Sequence, residues 1–264
     1  MPAGTNYPPE DHLGRDLGIT YRIPSADRIT LTAACTEHLL RSDGTVSSEA
    51  VCAIVDEAIG FVAVLAVLPD WGSTAALTLG FTGASVEPRG ELVVEGAVLK
   101  AGKRLVFSEC TVTWEGTLVA HAQGQFARVG RAGSNVDMEV PQPDPSVTFE
   151  MGPAASGLDR CLSDRLGFRR SPRGSIEIDF DPYMANSSGL LHGGVAAALA
   201  ICAAEEVAGA PAGNASIQFL AAGRQGPFVA EGRGFPGERP GVWRTETRDS
   251  AGGTLMNTAV VRTV

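Results

Sequence analysis

Gly116-Thr117-Leu118 is followed by VAHAQGQFARV, and Gly253-Thr254-Leu255 is followed by MNTAVVRTV, an offset of 253 − 116 = 137 positions. Upstream, Val94-Glu95-Gly96 lies opposite Ala230-Glu231-Gly232 at 136, and Phe81 lies opposite Phe219 at 138. Further up, Gly44 falls on Gly189 and Ser47 on His192, both at 145. The matches keep their order and the offset changes only between them, as insertions in loops would change it. The chain therefore reads as two copies of one unit, and any fold must accommodate the same layout twice.

Each copy opens on a short alternating strand, Ile29-Thr30-Leu31-Thr32 in the first and Ile176-Glu177-Ile178-Asp179 in the second. A loop follows, then a long helix expected over 48–68 and 193–208, then strands. In the first copy these are expected over 75–81, 91–99, 104–114 and 118–129, and the second repeats them from 215 to 264. The run GRAGSNVDMEVPQPDP reads as a linker, so the expected boundaries are a first unit over 1–130, a linker over 131–147 and a second unit over 148–264. A short helix is expected within 158–168. One helix and a run of antiparallel strands per copy give an α+β fold.

The first helix, VCAIVDEAIGFVAVLAVL, is apolar almost all round. Such a helix either spans a membrane or is wrapped by protein. Asp56 and Glu57 at its centre would each cost on the order of 2.5–3.5 kcal/mol in a bilayer, so burial in protein is the expectation and no membrane partner is foreseen. Lys plus Arg total 21 and Asp plus Glu 30, a net charge of −9, which argues against nucleic acid as a partner. The five cysteines are scattered without a CxxC pair, and the histidines show no ligand spacing. Neither disulfides nor a metal are expected. With no apolar leader in the first residues, a cytoplasmic location is expected.

His192-Gly193-Gly194 ends a loop and opens the second long helix. Free amides in a helix's first turn carry partial positive charge, and glycine lets a reacting group approach that backbone. Set in a strand–loop–HGG–helix–strand unit, this resembles the hotdog-fold acyl-CoA thioesterases, particularly the PaaI-like branch, over nearly the whole chain. The resemblance implies a double hotdog, two curved sheets each around a long helix and joined edge to edge. It also implies an active site between units: one supplies an Asn, the His and a Gly amide, and the other an acid on its helix and a downstream Ser or Thr.

Carried over by residue, the second copy has Asn186, His192, Gly193 and Gly194, but Ile201 where the acid belongs. The first copy has Arg41, Ser47, Ser48 and Glu49 where the Asn and the HGG motif belong. Nine after Ser47, however, stands Asp56, and eighteen further stands Thr74 beside Ser73. The copies are degenerate in complementary ways, which leaves one complete composite site per chain. Glu57, about 100° round the helix from Asp56, is expected to be peripheral, and Glu205 and Glu206 to lie at a solvated helix end.

By this resemblance the chain is an acyl-CoA thioesterase that needs no cofactor beyond the coenzyme A of its substrate. Gly193 would hold the carbonyl oxygen, and Asp56 would act as general base or nucleophile. Thr74, with Ser73, would orient the water or Asp56. Asn186, His192 and Gly194 would position the substrate. An enoyl-CoA hydratase or dehydratase and a non-catalytic acyl-CoA-binding protein are the alternatives. Arg89, Lys103, Arg104, Arg128, Arg131, Arg169, Arg170 and Arg173 are the cations considered for the phosphates of coenzyme A, none of them singled out. A homodimer of the chain is expected.

Overall fold

The computed structural model describes residues 7–131, 138–152, 157–171, 174–235 and 241–264. The first half runs α1 (Leu13–Asp16), β1 (Thr20–Ser25), β2 (Arg28–Ala34), a 3-10 turn (Glu37–Leu39) and α2 (Ser48–Leu65). Then come β3 (Trp71–Phe81), β4 (Glu91–Ala101), β5 (Leu105–Trp114) and β6 (Thr117–Val129). After β7 (Asp144–Glu150) the second half follows: α3 (Leu162–Arg165), β8 (Arg169–Arg170), β9 (Ser175–Ile178), a 3-10 turn (Pro182–Met184) and α4 (Gly193–Ala208). It closes with β10 (Ala212–Phe219), β11 (Phe228–Gly234), β12 (Val242–Asp249) and β13 (Thr254–Thr263).

Among the described residues the strands form one antiparallel sheet in the order β7-β1-β2-β4-β5-β6-β3-β10-β13-β12-β11-β9-β8. The halves meet where β3 pairs with β10, Leu77 opposite Ile217. Helix α2 packs on β2 through β6, α4 packs on β9 through β13, and the two helices pack on each other. That arrangement explains the apolar run: sheet on one side and a second helix on the other leave little of α2 facing water. No helix among the described residues is long and apolar enough to cross a membrane.

Both long helices start by the same device. Ser47 caps α2, its Oγ accepting from the Ala50 N–H at 3.3 Å, and His192 caps α4 through its ring. The loop before each helix closes on an isolated antiparallel bridge, Leu40–Val46 in the first half and Ala185–Leu191 in the second. These pairs differ by 145, as do the two 3-10 turns. The same offset holds in the strand before each loop: Leu31 pairs with Val94 and Ile176 with Ala230, and 176 − 31 = 145, while Val94 and Ala230 keep the later offset of 136. By this register the counterpart of Ile176 is Leu31. Ile29 and Leu31 are both apolar and lie on one strand face two residues apart, so hydrophobic alternation alone does not choose between them.

The joining segment also holds more structure than its composition implies. β7 spans the expected boundary at 147 and 148 and pairs with β1, Tyr21 opposite Phe149. It thereby extends the first half's end of the sheet.

Candidate active site

The N-terminus of α4 points at the middle of α2. Ala-rich α4 allows this closeness: a Cβ on Gly194 would lie 2.4 Å from the Cys52 carbonyl oxygen and 2.9 Å from Ala53 Cα. A Cβ on Gly193 would lie 2.6 and 2.9 Å from the two carboxylate oxygens of Asp56. Each glycine of the motif is thus required by contact with the other half's helix, the first with a side chain and the second with backbone.

Asp56 is 6% exposed and held on both oxygens. Thr74 Oγ1 donates to Oδ1 at 3.0 Å, and the Gly194 N–H donates to Oδ2 at 2.9 Å. Thr74 reaches it beside a break in the β3–β6 register between Thr74 and Ala76, the kind of irregularity that re-aims a side chain. The Gly193 N–H has no acceptor among the described residues, and Gly193 lines the adjoining cavity.

His192 is held at both ring nitrogens. Its Nδ1 accepts from the Gly194 N–H at 3.1 Å and lies 3.5 Å from Asp56 Oδ2. Its Nε2 lies 3.0 Å from Glu57 Oε2. In the neutral ring the accepting Nδ1 leaves the proton on Nε2, donated to Glu57. Glu57 Oε1 in turn accepts from the Tyr21 hydroxyl at 2.5 Å. Glu57 is therefore not peripheral. With α2 buried on nearly every side, a rotation of about 100° takes a side chain to another wall of the same site rather than to solvent. Tyr21 went unnoticed in the sequence, which gives no sign that β1 lies over α2.

The neighbouring acids are driven apart. Burial pushes the Asp56 carboxyl above the usual carboxylate value, with Glu57 adding to the rise and His192, Thr74 and Gly194 opposing it. Burial pushes Glu57 up too, but the hydrogen bond and charge of His192, with Tyr21 and His12, outweigh it and hold Glu57 below its ordinary value. Burial alone would lower His192, yet Glu57 and Asp56 together hold the ring above its ordinary value. Adjacent carboxyls with diverging affinities for a proton are the pattern of a base beside a permanent anion.

These groups open on a cavity of about 880 Å³. Asp56, Ser73, Thr74, Asn186, His192 and Gly193 all line it, so six of the seven residues expected from the sequence converge there. Tyr21 stacks on Phe61 along one wall, ring centroids 5.1 Å apart. Asn186 Oδ1 accepts from the Ser188 and Leu190 amides at 2.9 and 3.2 Å, which shapes the loop before the helix. Gly194 is the exception. It does not line the cavity: its amide is engaged by Asp56 and His192 and its α-carbon is pressed on α2. Among the described residues no cluster of His, Cys, Asp and Glu could hold a metal.

The corresponding place in the other pairing is a smaller cavity of about 440 Å³, and the residues on it are tied to one another. Ser48 Oγ, Arg41 Nη1 and the Ala212 N–H all meet Glu205 Oε1, at 2.8, 3.0 and 2.8 Å. Glu205, expected at a solvated helix end, is 9% exposed because it stands where the first half's degenerate helix start meets α4. Of the cations considered for phosphates, Arg128 pairs with Asp70, Arg169 with Glu177 and Asp179, and Arg170 with Glu206; Arg173 lies outside the described residues.

No protein-family model matches the sequence, and no curated protein does. Solved structures do match. A 12:0-ACP thioesterase from Umbellularia californica superposes with a TM-score of 0.57 at 10% identity, over 89% of this chain and 93% of its own. An acyl-ACP thioesterase from Bacteroides thetaiotaomicron gives 0.55 at 10% identity, over 89% and 97%. A candidate thioesterase from Novosphingobium aromaticivorans gives 0.57 at 18% identity, over 92% and 97%. At these identities the likeness is one of fold, and the fold is the hotdog fold.

Proposed function

We propose that this chain is a double hotdog and an acyl-CoA thioesterase with one composite site. In this reading the first unit extends through β7, the second begins after it, and each sheet is built around one long helix. The observation that carries the proposal is the meeting of a buried carboxylate, Asp56, with the unoccupied first amide of the opposite half's helix, at a glycine whose Cβ would fill the space between them.

The substrate's acyl chain would enter the largely apolar cavity, with its thioester oxygen on the Gly193 N–H. That donor gains strength as negative charge develops on the oxygen. Asp56 acts as general base: it takes a proton from water, the hydroxide oxygen bonds to the carbonyl carbon, and collapse of the oxyanion breaks the C–S bond. The departing thiolate recovers the proton. Two observations favour a base over a nucleophile. Both carboxylate oxygens are already held, by Thr74 and Gly194, and the raised proton affinity suits proton transfer. His192 is a positioning residue: it caps α4 and, anchored by Glu57, fixes the amide that holds Asp56. A hydratase would need this ring free to move a proton, and both of its nitrogens are engaged.

The test is thiol release from a panel of acyl-CoAs, followed together with enoyl absorbance. Thiol release without an absorbance change supports hydrolysis. Absorbance change without thiol assigns a hydratase, and binding with neither change assigns a sensor. A dimer of the double-hotdog chain is the expected assembly, checked by light scattering.

A further inference from the structure

The cavity is lined by the carboxylates of Asp56, Glu57, Glu139 and Glu150 and, among the described residues, by a single Lys or Arg side chain, Arg224. Arg224 is exposed, and its guanidinium makes no hydrogen bond or ion pair among the described residues. The backbone beneath it is held firmly. Asp249, 6% exposed, accepts from three consecutive amides, those of Arg224, Gln225 and Gly226, at 2.9, 3.1 and 3.1 Å. The same loop is tied to the loop before α4, where the Leu191 N–H donates to the Gly223 carbonyl at 3.0 Å.

The first half manages its equivalent loop differently. Trp114 stands opposite Leu92 as Asp249 stands opposite Phe228, and Trp114 Nε1 donates to the Arg89 carbonyl at 2.9 Å. The arginine of that loop, Arg89, is neutralised by Glu87 and Glu115. In this loop the half that supplies His192 and Gly193 presents an arginine without a partner among the described residues, and it devotes a buried carboxylate to fixing the loop. On a chain of net charge −9, an anion reaching this mouth must be met by a local cation.

We infer that Arg224 binds the phosphate at the end of the substrate's pantetheine arm. This deepens the thioesterase reading and rests on it, since that arm is common to coenzyme A and to acyl carrier protein and ends in a phosphate away from the sulfur. A guanidinium is suited to a phosphate by its fork of donors.

The experiment compares wild type with Arg224→Gln and Arg224→Lys. Calorimetry measures coenzyme A against pantetheine, which lacks the phosphate. Kinetics measure kcat/KM for acyl-CoA, acyl-ACP and acyl-pantetheine. The preference for coenzyme A over pantetheine should fall about tenfold in Arg224→Gln, the scale of a charge-assisted contact, and Arg224→Lys should keep most of it. An unchanged preference overturns the inference. Equal losses on acyl-CoA and acyl-ACP support the shared phosphate; a loss confined to coenzyme A overturns that assignment in favour of the nucleotide's phosphates. If no thioester is hydrolysed while the binding preference still depends on Arg224, the thioesterase reading fails and the phosphate contact stands.

Discussion

The Gly194 N–H lies 2.9 Å from Asp56 Oδ2, so the first turn of α4 in one half is bonded directly to the acid on α2 of the other. The acid and the neighbouring Gly193 amide hold a fixed relation before any substrate arrives. Pre-positioned donors of this kind act without reorganisation at the moment of reaction.

Asp56→Asn should lower the chemical rate by at least about 10²-fold while acyl-CoA still binds. The same change should raise the denaturant midpoint at neutral pH. The folded-state affinity of Asp56 for a proton is raised above its unfolded value, so ionised Asp56 opposes folding, and that penalty disappears as pH falls through the folded pKa. Asparagine removes the penalty at every pH. A variant both active and no more stable would contradict the base assignment. Under the base mechanism, a single turnover in ¹⁸O-water should also label the acid product at once; first-turnover product free of label would assign a nucleophile.

Thr74→Val keeps shape and removes the hydroxyl that favours the ionised form of Asp56. If Asp56 is the base, the acid limb of kcat/KM should lie above the ordinary carboxylate range in wild type and move to still higher pH in this variant. A limb that stays where it is, or moves down, would show that another group controls it.

Glu57→Gln removes a hydrogen bond and a charge that raise His192. The ring should titrate at lower pH, read from its imidazole proton resonances, and turnover should fall about tenfold through looser positioning. An unmoved titration would detach Glu57 from His192.

The two glycines separate function from stability. In Gly193→Ala the new methyl meets a side chain that can swing aside, Asp56, so the protein should fold and lose at least about 10²-fold in kcat. In Gly194→Ala it meets the backbone of α2 at Cys52 and Ala53. There the cost should be about 1–3 kcal/mol of stability. Denaturant melts and kcat measured on both variants decide whether this division holds.

A non-hydrolysable acyl-CoA analogue should titrate to one equivalent per chain. At the corresponding place Arg41 and Ser48 are bonded to Glu205 and no glycine opens the start of α2, so Ile201→Asp alone should not create another. A stoichiometry of two in wild type would overturn the single composite site.

The cluster around Asp56 and His192 was legible because its residues sit at fixed steps from helix starts that the repeat marks. Asp56 and His192 lie 136 residues apart, yet aligning Ser47 with His192 makes Asp56 the counterpart of Ile201, and 145 proves to be the offset of the bridges, turns and caps around it. What the sequence hid depends on packing between elements. Glu57 could be assigned only once α2 was known to be enclosed, and Glu205 only once α4 was seen to abut Ser48. β7 hid in a Pro-rich segment because an edge strand needs pairing on one side alone. Tyr21 comes from a strand that the repeat pattern passes over.

The β3–β10 seam joins two halves that are no longer interchangeable. Were they separate chains, random encounter would also make pairs with two acids and no open helix start, or two open helix starts and no acid, none of which would bring Asp56 to Gly193. Within one chain each half meets its unlike partner at a high effective concentration. Formation of the site is then unimolecular, so the activity per molecule should be the same at any dilution at which the chain stays folded.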